Sequence, residues 1–204
     1  MNKLSASNHT PSRPHGSANP CGSTEFYDRA GRYSALRRAL HWLSALAIVG
    51  LFALGWWMTS LGYYDAWYQL GPWWHRSVGV ILLVLTLVRL AWRWSQTTPQ
   101  AHGTRNEQRA ALVGHVLLYV LMLVVMISGY LISTADGRGI KVFDLFEVPA
   151  VISGLKDQAS LAGEVHWYAA CVLIILSLGH AAAAFKHHLL DGQDTLRRMI
   201  RPLR

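Results

Sequence analysis

Four stretches of the chain, Ala39 to Tyr64, Gln69 to Ala101, Ala110 to Ala135 and Val165 to Phe185, run without Asp, Glu or Lys, and arginines enter only the second. A bilayer's hydrocarbon core takes about 20 apolar residues per helix, so each stretch is long enough to cross it. A spanning helix also satisfies its own backbone polar groups, which lipid cannot do. The pattern predicts an all-α fold, an integral membrane four-helix bundle. The first span is expected from about Leu36 to Leu61, ending in the interfacial aromatics Trp56, Trp57, Tyr63 and Tyr64. The second is expected to open at Pro72, a residue tolerated in a first helical turn, and to close at Thr97, Thr98 and Pro99. The third runs from near Ala110 to Ser133, and the fourth from after Glu164 to Lys186. Between these last two, Lys141 to Ile152 reads as a surface-lying apolar stretch.

Composition agrees, with 52% of the 204 residues apolar and 15% charged, which excludes a disordered chain and an ordinary soluble domain. Lys and Arg number 19 against 11 Asp and Glu, a formal charge of +8. That excess reports topology and no nucleic acid partner. Only Arg76, Arg138, Lys141 and Lys156 fall at the connections that also hold Asp65, Asp136, Asp144, Glu147, Asp157 and Glu164. The positive-inside bias then predicts that both termini and the 94–110 loop are cytoplasmic. Residues 1–33, with Pro11, Pro14 and Pro20 among Ser, Asn and Gly, are expected to form a flexible cytoplasmic tail and not a signal peptide. Residues 34–204 form the four-span domain. Cys21 and Cys171 are placed too far apart to pair, no Cys-x-x-Cys-His run offers covalent haem attachment, and no repeat of fixed period is present.

Histidine carries the candidate chemistry. Of ten, His9, His15 and His102 fall in polar segments and His187 and His188 at the edge of the fourth span, whereas His41, His75, His115, His166 and His180 lie in or at the spans. One such residue would read as a histidine bonded to nearby backbone. Five ionisable groups at membrane depth point to function. His166 and His180 are 14 residues apart, so they share one helix face at two depths roughly 21 Å apart. Chain direction pairs His41 with His180 and His75 with His166. Two imidazole pairs, one near each membrane face, meet the requirement of two bis-histidine haem b groups. Small residues lie beside them, namely Ala45, Gly79 and Ala181 to Ala184. Cations for the propionates are at hand in Arg38, Arg76 and Arg89, of which Arg89 shares the face of His75; headgroup snorkelling accounts for Arg37 and Arg93. Met58, Met122 and Met126 read as packing residues.

The runs Arg-Tyr-Ser-x4-Ala-Leu-His-Trp at 32–42, Trp-His-Arg-Ser-Val-Gly at 74–79, Gly-His-x3-Tyr at 114–119, Val-His-Trp at 165–167 and Gly-His-Ala-Ala-Ala-Ala-x-Lys-His-His at 179–188, with the closing Asp-Gly-x-Asp-Thr-Leu-Arg-Arg-Met at 191–199, resemble the bacterial cytochrome b-561 family. The resemblance covers about residues 32–201. It implies a four-helix di-haem cytochrome of the bacterial inner membrane, embedded in lipid, with its ligands on His41, His180, His75 and His166. It further implies electron exchange with the quinone pool, superoxide oxidation being one activity in the family. His115 remains open between a quinone hydrogen bond, an alternative ligand to His180 and a bond to backbone. Two other functions compete: a haem-containing membrane anchor for a dehydrogenase or hydrogenase, and a histidine-based metal-ion carrier. The carrier fits less well, because the spans hold no Asp or Glu and transport sites recruit carboxylates or broken helices at the midplane.

Overall fold

The computed structural model describes residues 35–94, 104–192 and 196. The expected tail at 1–33, with His9, His15 and Cys21, lies outside the described residues, as do Thr97 to Pro99, His102 and much of the 191–199 motif. Four helices carry the fold: α1 Ala35–Met58, α2 Trp67–Trp94, α3 Arg105–Thr134 and α4 Gln158–Leu189. All four are long and apolar enough to cross a membrane. At about 1.5 Å per residue, the 30 residues of α3 and the 32 of α4 exceed a hydrocarbon core of roughly 30 Å, so their ends project beyond it. The helices α3 and α4 pack on one another most extensively and α1 on α2 next, while α1 touches α4 sparingly. That contact includes Phe52 stacked on Trp167 and Trp56 against the same ring, with centroids 6.4 and 5.2 Å apart.

Three helices start earlier than the apolar pattern suggests. The helix α2 begins at Trp67, so Pro72 lies inside it and not in its first turn. The Arg76 Nε donates to the Pro72 carbonyl at 3.2 Å. Thr104 caps α3 through a reciprocal box with Glu107, Thr104 N donating to Glu107 Oε2 at 2.9 Å, which extends the helix through its polar first turn. At α4, Gln158 takes the place of an ordinary cap. Its amide receives from Leu155 N and donates to the Leu131 and Ile152 carbonyls, and the buried side chain ties the start of α4 to the end of α3.

The α3–α4 connection exposes Leu145, Phe146, Val151 and Ile152 as the expected surface-lying apolar stretch would, but it is more ordered than that. It folds as an antiparallel hairpin, β1 Ile140–Val142 and β2 Phe146–Val148, in which Ile140 and Val142 are buried against the bundle while Leu145 and Phe146 stay exposed. Phe143 and Asp144 at its tip have φ of 49° and 55°, and Leu145 N donates to Val142 O at 3.0 Å. Two consecutive positive φ values match the twist of paired strands but are costly for a phenylalanine. The tip is held by α2. Phe143 N donates to the buried Ser77 Oγ at 3.1 Å, Trp73 Nε1 donates to Asp144 Oδ2 at 3.1 Å, and the Phe143 ring meets Trp73 and Trp74 edge-on.

Candidate functional site

The five intramembrane histidines fall into two groups at opposite ends of the bundle. At the hairpin end, His75 and His166 each lie eight residues in from the first residue of their helix, Trp67 and Gln158. Their rings are 6.0 Å apart between centroids and inclined at 67°. At the other end, the rings of His115 and His180 are 5.3 Å apart, and His41 is close enough to both to feel their charge, and that of Arg89. Thus the structure joins His75 to His166 as the helix depths require. It also brings His41 and His180 to one end, where His115 is a third member whose ring stands directly against His180. The earlier start of α3 sets His115 inside the helix and not at its opening.

The hairpin-end pair is seated in helix backbone. Nδ1 of His166 lies 2.8 Å from the Val125 carbonyl of α3, with Ser128 Oγ at 3.3 Å. A carbonyl only accepts, so Nδ1 carries the proton and the lone pair is left on Nε2. This is the arrangement of a metal-ligating histidine, whose other ring nitrogen donates to backbone or carboxylate. Gly129, one turn beyond Val125, makes the approach possible: a Cβ there would come within 3.0 Å of His166 Cε1 and 3.2 Å of Nδ1. On α1 a Cβ at Gly55 would stand 3.1 Å from His75 Cε1. The Leu51 carbonyl, one turn before Gly55, also acts on the His75 ring. Among the described residues, Nδ1 of His75 is the buried side-chain nitrogen left without a hydrogen bond.

These features test whether a haem fits. Two imidazoles on one metal, each bonded at about 2 Å, have ring centres roughly 6 Å apart, the spacing found for His75 and His166. The fixed tautomer of His166 presents the nitrogen that iron takes, and the glycines let both rings come close to the neighbouring helix backbone. The donor set therefore suits bis-imidazole ligation.

The arginines differ in their surroundings. Arg89 is half-buried, its Nη1 donating to Ser44 Oγ at 3.0 Å, and Ser44 in turn donates to the Leu40 carbonyl at 2.7 Å. That relay holds a guanidinium beside His41. Arg38 is half-buried on α1, three residues before His41. Arg76 is exposed and turned back on its own helix, with no acidic partner among the described residues. Of the other cations at that end, Arg138 is paired with Asp136, whose carboxyl this bond holds below the usual carboxylate range, and Lys141 faces Glu147 across the hairpin.

Reading the sequence missed Gly55, Gly129, the Val125 carbonyl, Ser44 and Ser77. A glycine in mid-span is a visible signal, but which histidine it faces depends on helix packing. Ser44 and Ser77 carry no local signal of their roles.

The chain matches the family model for prokaryotic cytochrome b561 over residues 32–202. It is 42% identical over 177 residues to cytochrome b561 homolog 2 of Escherichia coli (strain K12), covering 86% of this chain and 94% of that protein. It is 34% identical to cytochrome b562 of Cereibacter sphaeroides, covering 83% and 96%. Cytochrome b561 homolog 1 of Escherichia coli (strain K12) is 25% identical over 83% and 97% of the two chains.

Proposed function

Since the chain belongs to the prokaryotic cytochrome b561 family and is thus a bacterial membrane haem protein of electron transfer, we propose that it holds two haem b groups and passes electrons between a periplasmic donor, superoxide, and the quinone pool. His75 and His166 hold one haem at the hairpin end, and His41 and His180 the other. A bound haem supplies a one-electron iron couple whose potential the protein tunes through ligation, hydrogen bonding and burial. The hairpin end faces the periplasm and the end holding the start of α1 and the close of α4 faces the cytoplasm, as the distribution of Lys and Arg supports.

The observation that carries the reading is the separation of the imidazoles into a pair and a trio at the two ends of one bundle. Arg89, steadied by Ser44, neutralises a propionate at the inner end, and Arg38 does so from α1. Arg76 does the same at the outer end and draws small anions. His115, against His180 and half-buried, donates to a quinone carbonyl. The test is a purified preparation given superoxide and then a short-chain quinone. Reduction of the haem by the first and reoxidation by the second supports the proposal. Reduction only by a soluble dehydrogenase or hydrogenase would instead make the protein an anchor subunit.

A further inference from the structure

The two helix pairs meet their hairpin-end histidines in one way, although the sequence shows no repeat of fixed period. On α3 a carbonyl at Val125 is followed one turn later by Gly129, and His166 of α4 enters there. On α1 a carbonyl at Leu51 is followed one turn later by Gly55, and His75 of α2 enters there. Helix geometry explains the spacing, because residues four apart lie on one face. Without a Cβ the helix surface is lowered by about one carbon atom, so an imidazole can lie flat enough on the backbone to reach the carbonyl one turn back. Other glycines in the spans do not serve this purpose: Gly50 on α1 and Gly163 on α4 face open space. The period is hidden because the hairpin inserted between α3 and α4 makes the second interval longer than the first.

We infer that Gly55 and Gly129 are positioning residues for the hairpin-end haem ligands, each forming with the carbonyl one turn before it a seat that fixes the orientation of a histidine ring. The inference rests on the reading of His75 and His166 as axial ligands. The seats differ in one respect. His166 donates from Nδ1 to its carbonyl at 2.8 Å, whereas the buried Nδ1 of His75 meets the Leu51 carbonyl without the geometry of a full hydrogen bond. Donation from Nδ1 raises the basicity of the ligating nitrogen, so His166 is the stronger donor to iron and favours the oxidised state.

The test compares Gly55→Ala and Gly129→Ala with Gly50→Ala and Gly163→Ala, all in the full chain with haem bound. In Gly129→Ala the added methyl pushes the ring from Val125, so the midpoint potential of the hairpin-end haem should rise and its low-spin electron paramagnetic resonance signal should move. In Gly55→Ala the resonance should move through a change in ring orientation, with a smaller change in potential. The other haem should keep its spectrum in all four variants, and the two control variants should match the unchanged protein throughout. Loss of the hairpin-end haem alone in either seat variant also supports the inference. Where a seat variant does not assemble, the unchanged oxidised protein decides. Electron-nuclear double resonance should find one axial imidazole with a hydrogen-bonded exchangeable Nδ1 proton and one without. Seat variants that keep the potential and resonance of the unchanged protein, or two equivalent Nδ1 protons, would overturn the inference. A chain in which removing His75 or His166 leaves every haem in place would instead refute the ligand reading beneath it.

Discussion

Nδ1 of His166 on α4 donates to the carbonyl of Val125 on α3 across 2.8 Å, at a point where Gly129 leaves no side chain in the way. The bond settles which nitrogen of His166 keeps its proton and ties the most extensively packed helix pair to the candidate haem site. It makes the site part of the bundle's backbone.

His166 and His180 share one helix but belong to different ends of it. Replacing His166 with Ala should therefore abolish one haem and leave the other, and replacing His180 should do the reverse. Reduced-minus-oxidised spectra of the two variants check this. Equal loss of both haems in each folded variant would contradict separate sites.

The hairpin tip depends on Ser77, the buried acceptor for Phe143 N. Ser77→Ala leaves that part-buried amide without its partner while Phe143 keeps its strained backbone, so stability should fall by about 1 kcal/mol, the lower end of the cost of an unsatisfied donor. Thermal unfolding in detergent measures it. A stability equal to that of the unchanged protein would show that the tip is not held through Ser77.

At the start of α3, Thr104→Ala removes both the hydroxyl that caps the helix and its bond with Glu107. A loss of about 1 kcal/mol is expected, with haem spectra unchanged because His115 lies well inside the helix. Loss of haem signal in this variant would mean that the cap positions the inner histidines.

At the hairpin end Arg138 is held by Asp136 and Lys141 faces Glu147, whereas Lys156 and Arg76 are exposed with no acidic partner among the described residues, and Arg76 is the one that adjoins His75. If it steers superoxide, haem reduction should slow as ionic strength rises, since exposed charges are screened over about 10 Å at 0.1 M salt. It should slow further in Arg76→Gln with both haems retained. Stopped-flow reduction at two salt concentrations is the measurement. Rates indifferent to both changes would point to a quinol or protein donor.

The helices were legible because apolar runs of spanning length leave few alternatives, and the grouping of His75 with His166 followed from helix direction and rise alone. Helix starts were less legible: the polar first turns of α3 and α4 are stabilised by Thr104, Glu107 and Gln158, whose bonds reach beyond an apolar pattern. The hairpin was missed because a phenylalanine and an aspartate occupy turn positions that glycine or asparagine normally marks. It exists through tertiary contacts with Ser77, Trp73 and Trp74. The closeness of His115 to His180 was open for a similar reason, because the rotation of α3 against α4 is set by packing and not by spacing.

Whether the two histidine groups hold two haems is decided by haem content per polypeptide in the pyridine haemochrome assay, taken on the unchanged protein and on His75→Ala and His41→Ala. Two haem b are expected in the unchanged protein and one in each variant. The spectrum that survives in His75→Ala should be the one absent from His41→Ala. A single haem or none in the unchanged protein, or two retained in either variant, would contradict it.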